Sequence, residues 1–385
     1  MEQNLSDFLA TKPLYYDRID LARMPGAFRE VESHLRLGTV VHLVGTNAKG
    51  STGRMLATML RQKGAHVGHY SSPHIVKFNE RIWIDGKDAD DATLQRAHRK
   101  LMKWLAPERA ETLSYFEYTT LLALVAFESL EFIVLEAGLG GEFDATSVVP
   151  NSLTVVTPVG IDHQAFLGET IEEIAATKIR SVQKRLLLAP QTDPLVCRVA
   201  EEIASKKGVA LFRARTLCNA TCRHEIKKVA KKCGWPDFYR ENAMTAAAAY
   251  TLLTRDPVPW EALAAVRMRG RFERIAPNVV LDVGHNLLGA RRVAEALDGK
   301  KVVLVYNALS DKDAEAILKT LKPVVKRLEI IAIESDRAMA PEKLAEAASH
   351  AGLDVSRFRG VTPTENYLVF GSFLVAEAFL KRFEV

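Results

Sequence analysis

A two-block α/β protein, with mostly parallel sheets covered by helices, is what this sequence predicts, and three observations predict it. Strand-like runs alternate with helix-like ones along nearly the whole chain, the pattern of βαβ units. The apolar run at 40–44 feeds directly into the glycine-bounded loop Gly45-Thr46-Asn47-Ala48-Lys49-Gly50-Ser51-Thr52. The length of 385 residues exceeds what one core usually organises, and 48% hydrophobic content supplies apolar surface for two.

The first block takes its strands from 40–44, 67–71, 132–135, 153–157 and 185–189. A helix-compatible run at 52–63 follows the glycine-bounded loop and closes at Gly64. An alanine-rich helix around 246–249, preceded by Arg240-Glu241-Asn242, leads toward Arg269-Gly270-Arg271-Phe272-Glu273, which reads as a hinge. Beyond it, strands at 278–283, 301–306, 328–333 and 367–370 alternate with helices at 287–297, 311–321 and 341–351. The expected division is an N-terminal P-loop ATPase domain, 1–270, and a smaller C-terminal Rossmann-like α/β domain, 271–385. No internal repeat or low-complexity tract interrupts it.

Composition excludes several classes. No span approaches a membrane crossing, and the stretch Met1 to Lys12 carries acidic residues without an apolar core flanked by basic ones, so a cytoplasmic enzyme is expected. A net charge of +5 is mild for this length; it suits a polyanionic small substrate and requires neither nucleic acid nor membrane. Cys218, Cys222, His224 and Cys233 lack C-x-x-C spacing, so free thiols are expected there instead of zinc. Lys227, Lys228, Lys231 and Lys232 come in pairs at helical spacing, as on a solvated helix face.

Three elements carry chemistry. In the first loop, small residues let backbone N–H groups approach phosphate oxygens, Lys49 adds a point charge for the outer phosphates, and Ser51 or Thr52 faces a magnesium ion. The bland alternative is a strand-to-helix turn with a surface lysine. Ala48 stands where glycine would be freer; if the position is left-handed, alanine costs about 1 kcal/mol or more. In the second element, Phe132-Ile133-Val134-Leu135-Glu136-Ala137-Gly138, Glu136 ends an apolar strand at the edge where open parallel sheets bind ligands, so it either holds a metal or caps a glycine-rich turn. The third, Gly160-Ile161-Asp162-His163-Gln164, offers His163 to the same metal from a neighbouring strand end.

In this order, the pieces resemble the folylpolyglutamate synthase and dihydrofolate synthase branch of the Mur ligase superfamily. The resemblance covers nearly the whole chain. It includes the phosphate loop, Ser71-Ser72-Pro73-His74, Phe78-Asn79-Glu80-Arg81-Ile82 and Glu136-Ala137-Gly138-Leu139-Gly140-Gly141-Glu142-Phe143-Asp144-Ala145-Thr146. Asp162-His163-Gln164-Ala165-Phe166-Leu167-Gly168, Glu173-Ile174-Ala175-Ala176-Thr177-Lys178, Arg271-Phe272-Glu273, Asp282-Val283-Gly284-His285-Asn286, Ser310-Asp311-Lys312-Asp313 and Phe370-Gly371-Ser372 continue it.

What the resemblance implies is an ATP-dependent ligase that joins L-glutamate to the carboxylate of dihydropteroate, and to reduced folates, through an acyl phosphate. Gly45 to Thr52 would hold the phosphates, with Asn242, Arg271, Asp282 and His285 contacting adenine and ribose between the blocks and the second block closing as a lid. Ser51, Ser72, Glu136 and His163 would place two magnesium ions. The family lysine at Lys178 is carbamylated, which would turn an ammonium into a carboxylate; without the family it reads as an exposed helix lysine, and Ile179-Arg180-Ser181 departs from the family's usual continuation. Ser114 and Phe116 resemble the segment lining the pterin site, against an aromatic helix start packed in the core. Ser310 and Asp311 would bind glutamate, with a helix N-cap as the equal alternative for Asp311. A monomer is implied, and a monovalent cation is a further candidate cofactor. The rival readings are a dedicated dihydrofolate synthase, a Mur-type ligase for another carboxylate, and a nucleotide-binding scaffold without catalysis.

Overall fold

The computed structural model describes residues 4–14 and 20–383; residues 1–3 of the N-terminal stretch lie outside them. The chain divides into two compact units, Met1–Trp235 with Tyr239–Val266, and Pro236–Phe238 with Arg267–Val385.

The first unit is built on an eight-stranded sheet: β1 (Thr39–Val44), β2 (Val67–Tyr70), β3 (Ile82–Ile84), β4 (Lys87–Asp88), β5 (Phe132–Glu136), β6 (Leu153–Val156), β7 (Arg185–Leu188) and β8 (Ala210–Arg213). Its order is β4-β3-β2-β5-β1-β6-β7-β8. The six strands from β2 to β8 are parallel, and β3 and β4 add an antiparallel edge. β1 is interior, with Val41, Leu43 and Val44 fully buried, because both of its faces are covered by helices. Leu43 lies opposite Glu136 and Val44 opposite Val156, so three chain segments leave the sheet at one carboxyl edge.

The second unit holds β9 (Glu273–Ala276), β10 (Val279–Asp282), β11 (Val302–Tyr306), β12 (Val325–Ile330), β13 (Val355–Arg357) and β14 (Tyr367–Phe370), in the order β13-β12-β11-β14-β10-β9. All neighbours are parallel except β9, which runs antiparallel to β10. Its core joins Val280, Leu304, Leu328 and Leu368 from the sheet to Ile317, Leu318 and Leu344 from the helices.

The sequence pattern locates the interior strands and misses the edges. β13 is exposed and carries no apolar run, β8 is an edge strand with no buried residue although Val209-Ala210-Leu211-Phe212 is apolar, and the β3–β4 hairpin turns at Asp85-Gly86, where both residues have positive φ, a short-loop signal that apolar counting passes over. β12 begins three residues earlier than expected because the 3-10 turn Lys322–Val324 already ends the preceding helix. The thiol expectation needs correction. Cys218 and Cys222 form a disulfide, brought to a Cα separation of 5.2 Å by the turn that enters the helix Ala220–Cys233; Asn219 caps that helix, accepting from the Cys222 N–H. Cys197 and Cys233 are free. Among the described residues, no helix is long and apolar enough to cross a membrane.

Candidate active site

β1 delivers the phosphate-loop candidate into a tight fit. Gly45 has φ 150°, and a Cβ on it would lie 2.0 Å from Thr157 Oγ1, so no other residue fits against the end of β6. The Thr157 hydroxyl bridges the carbonyls of Val44 and Asn47, at 3.1 and 2.7 Å. Thr46 Oγ1 exchanges bonds with Gly160, accepting from its N–H and donating to its carbonyl. The N–H groups of Thr46 and Asn47 both reach Pro158 O, so these two residues hold the loop to the sheet and keep their amides from a ligand.

The helix after the loop, Lys49–Gln62, starts three residues earlier than the apolar pattern indicates. Lys49, Gly50 and Ser51 therefore occupy its first turn, where N–H groups have no carbonyl four residues back within the helix and the dipole favours an anion. Ala48, the residue ahead, is left-handed with φ 66° and ψ 3°, the strained conformation the sequence raises as a condition, and its side chain provides no cap. Lys49 Nζ folds back to Gly45 O at 3.1 Å and stands 3.9 Å from Glu136 Oε1. Ser51 Oγ donates to Ala48 O at 3.2 Å and accepts from Asn242 Nδ2 at 2.9 Å, which fixes the rotamer and leaves one lone pair. Thr52 Oγ1 is buried with no partner among the described residues. Asn242 thus sits beneath the phosphate-loop candidate, with its amide committed to Ser51.

Glu136 is the last residue of β5 and only 2% exposed. Its Oε2 lies 3.4 Å from the Ser72 N–H, so Lys49, Glu136 and Ser72 converge. His163 follows β6 in a left-handed conformation, with its ring Nε2 3.9 Å from Asp162 Oδ1.

Lys178 overturns the reading of an exposed helix lysine. It is 4% exposed in the last turn of the helix Ile171–Ile179, and its carbonyl backs onto Gly141, where an added Cβ would lie 2.4 Å away. Burial, reinforced by the Lys49 charge, pulls its ammonium down to about 7, against opposing pulls from Asp162 and Asp144. The departures after Lys178 are accommodated: Ile179 is core, Arg180 pairs with Glu142 at 3.5 Å, and Ser181 Oγ donates to Lys178 O.

Asp144 is a residue to which the sequence reading gives no role. It is buried, and burial pushes its carboxyl up, although it accepts from Thr146 N and Oγ1 and from Leu139 N. Thr146 Oγ1 also meets Nε2 of buried His42 at 2.8 Å. This chain of contacts holds the glycine loop that begins at Glu136. An acid enclosed by Gly140-Gly141 and Ala145-Thr146 in the sequence was the available signal.

Ser114 is the N-cap of the helix Tyr115–Ala126 and shares a capping box with Glu117, which occupies its hydroxyl oxygen. The half-buried Phe116 ring lies on Gly138, where an added Cβ would come within 2.6 Å, and near Tyr70 with ring centroids 5.9 Å apart.

In the second unit, Asp282 ends β10 and accepts from Phe272 N and Gly284 N; burial raises its carboxyl, and Arg271 opposes that. The Arg271 guanidinium lies 5.1 Å from the Phe373 ring centroid. His285 Nδ1 is 3.1 Å from Val283 O. The N-cap alternative for Asp311 is corrected. The helix Ala314–Leu321 is capped by Asp313, while Asp311 pairs with Arg337 and Lys312, whose charges outweigh burial and hold its carboxyl below the usual range. The Ser310 N–H donates to Arg337 O.

Residues 270–369 match the family described as Mur ligase, glutamate ligase domain. The dihydrofolate synthase/folylpolyglutamate synthase of Haemophilus influenzae is 31% identical over 397 residues, covering 88% of each chain. Among solved structures, Helicobacter pylori folylpolyglutamate synthetase is similar over 100% of both chains, at 34% identity and a TM-score of 0.80. Escherichia coli FolC in complex with DHPP and ADP is 25% identical with a TM-score of 0.81, covering 99% of this chain and 97% of that one. On these full-length similarities the chain, with its glycine-bounded loop and acidic strand end, belongs to the dihydrofolate synthase/folylpolyglutamate synthase family of ATP-dependent Mur-type ligases.

Proposed function

We propose that the protein joins the α-amine of L-glutamate to the carboxylate of dihydropteroate, giving dihydrofolate, and to the terminal carboxylate of reduced folates. The observation that carries this reading is the convergence of Lys49, the open first turn at Lys49 to Ser51, and Glu136 at one sheet edge. A carboxylate is a poor electrophile, so its oxygen first attacks the γ-phosphorus of ATP, with ADP leaving. The glutamate amine then adds to the acyl carbon of the resulting acyl phosphate, phosphate departs, and the ammonium loses a proton.

The protein positions these groups and neutralises charge. Gly45, Thr46, Asn47 and Ala48 shape the loop; Lys49, Gly50 and Ser51 present first-turn amides; Lys49 swings from Gly45 O and Glu136 to the outer phosphates. Asn242 holds the Ser51 hydroxyl in place. The residues present fit magnesium, since a hydroxyl with a lone pair to spare and a buried carboxylate are hard oxygen donors. Ser51, Ser72, Glu136 and His163 would hold two ions. When bound, magnesium would supply positive charge that offsets the charge developing on the phosphate oxygens.

Lys178, with an ammonium near 7, has a substantial neutral fraction at neutral pH, the form that adds to carbon dioxide to give a carbamate and release a proton. Carbamylation would turn a buried cation beside Lys49 into an anion. Mass spectrometry under native, bicarbonate-buffered conditions is expected to show one added carbon dioxide, absent in Lys178→Ala; full turnover by that variant would sink the assignment. Phe116 receives the pterin face, with Ser114 fixing the helix start that carries it. Arg271, Asp282 and His285 contribute to nucleotide binding, and Ser310 and Asp311 to glutamate binding. The same proposal takes the protein as a cytoplasmic monomer, with a monovalent cation as a further candidate cofactor.

The test is product formation from ATP, magnesium and glutamate with dihydropteroate or a monoglutamyl reduced folate. Glutamylated product from both acceptors supports the reading. Product from dihydropteroate alone makes the protein a dedicated dihydrofolate synthase, and ATP binding with no product from either favours the rival ligase or scaffold.

A further inference from the structure

Arg81 ends the 3-10 turn Phe78–Arg81 directly before β3 and is 9% exposed. Its Nε donates to Nδ1 of His74 at 2.8 Å, and its guanidinium lies 5.2 Å from the Tyr115 ring centroid. Both partners are neutral as arranged, because an imidazole that accepts at Nδ1 carries its proton on Nε2. Among the described residues no carboxylate pairs with Arg81, and its Nη1 and Nη2 have no hydrogen-bond partner. A nearly buried guanidinium with no counter-ion among the described residues is costly, so the site suits an anion that a ligand would bring.

Its surroundings show which anion. The neighbouring Glu80 is turned away, accepting from the N–H groups of Ile75, Val76 and Lys77. Those bonds fix the loop after Ser72, and Arg81 O accepts from the Ser71 N–H at 2.9 Å. The guanidinium is thereby tied to the loop whose Ser72 meets Glu136. On its other side, Tyr115 immediately precedes Phe116, and Phe78 lies edge-on to both Tyr115 and His74. An acceptor whose flat ring rests on Phe116 and whose reacting end points toward Glu136 passes this aromatic-lined guanidinium.

A glutamylated acceptor ends in two carboxylates, of which only one becomes the acyl phosphate. A bidentate guanidinium on the reacting carboxylate would draw electron density from the oxygen that must attack phosphorus, whereas on the other it anchors the tail without that penalty. Dihydropteroate has only the reacting carboxylate. Resting on the ligase reading above, we infer that Arg81 binds the non-reacting α-carboxylate of a glutamylated acceptor, and so serves chain extension and not the first glutamate addition.

The test compares two acceptors and a ligand-side deletion. Arg81→Gln is expected to raise KM for monoglutamyl tetrahydrofolate about tenfold to a hundredfold, while KM for dihydropteroate and for ATP stays within about twofold. A folate whose α-carboxylate is replaced by a carboxamide is expected to show the same rise with the unsubstituted protein and no further rise in Arg81→Gln. The carboxamide arm needs no variant, so it stands even if Arg81→Gln folds poorly, and Arg81→Lys is expected to recover part of the loss. Equal losses with both acceptors, or a carboxamide used as well as the carboxylate, would overturn the assignment while leaving the ligase reading intact. No turnover by the unsubstituted protein with either acceptor would overturn the ligase reading and this assignment with it.

Discussion

Two strand-to-helix junctions of this protein have the same plan and opposite endings. In the first unit β1 runs through Gly45 to the helix Lys49–Gln62; in the second β10 runs through Gly284 to the helix Leu287–Leu297. Both leave the carboxyl edge of a mostly parallel sheet from an interior strand. At the second junction Asn286 sits extended and its side chain accepts from Gly289 N at 2.9 Å, which satisfies a first-turn amide from within the chain. At the first, Ala48 is left-handed and offers no side chain to the turn. The difference teaches that a helix start stays open to an outside anion when the chain withholds its own cap, and that the missing cap is as informative as the lysine beside it.

The comparison breaks most directly at Lys49. Lys49→Ala removes the cation from the open junction, and kcat is expected to fall about a hundredfold to a thousandfold, with the fold retained by circular dichroism. A loss under tenfold would mean that the uncapped helix start alone manages the phosphate charge.

Asn286→Ala tests the capped junction. It should lower stability by about 1 kcal/mol in chemical denaturation, as the loss of a side-chain cap does. Were that variant to retain full stability, the cap at the second junction would be idle and the contrast empty.

Ala48→Gly sharpens the first junction. Relief of the left-handed alanine is partly offset by the greater freedom of glycine in the unfolded chain, so a gain of about 0.5 kcal/mol is expected, with KM for ATP no higher. A destabilised variant would show that the alanine methyl packs usefully and that its backbone carries no strain.

Lys178 provides a pH signature. Its folded-state value is lowered to about 7 from the ordinary 10.5, so between these values the unfolded chain binds the extra proton and stability rises with pH. Below about pH 7 both states are protonated, and the burial penalty on the ammonium is felt in full. Carbon-dioxide-free denaturation curves from pH 7 to 10 should therefore show a rise that Lys178→Met abolishes; identical slopes for the two proteins would contradict a depressed lysine.

The strand–loop–helix junction proposed for phosphate was legible in the sequence because everything that makes it is local: an apolar strand, a glycine that alone fits against Thr157, a lysine and a hydroxyl within a few residues. Glu136 was legible for the same reason, as the last residue of an apolar run. Lys178 was less so without the family resemblance. Yet its position was written in the helix period: Ile174, Ala175 and Ile179 are buried, and Lys178 lies three or four residues from the first two, on the same face. Counting lysine as a solvent residue hid that. Ser114 shows the reverse error, since Ser114-Tyr115-Phe116-Glu117 is a capping box and its hydroxyl had a local role before any ligand was invoked. Arg81 was illegible, because only the folded chain reveals that its partners are a histidine nitrogen and a phenol ring with no acid among them.

The central claim is that this open junction serves transfer of phosphate to a carboxylate. The most direct measurement uses dihydropteroate labelled with oxygen-18 in its carboxylate, with ATP, magnesium and glutamate, and analyses the released inorganic phosphate by mass spectrometry. The account predicts one labelled oxygen per phosphate released, carried over when the acyl phosphate is cleaved by the amine. Unlabelled phosphate accompanying glutamylated product would contradict it.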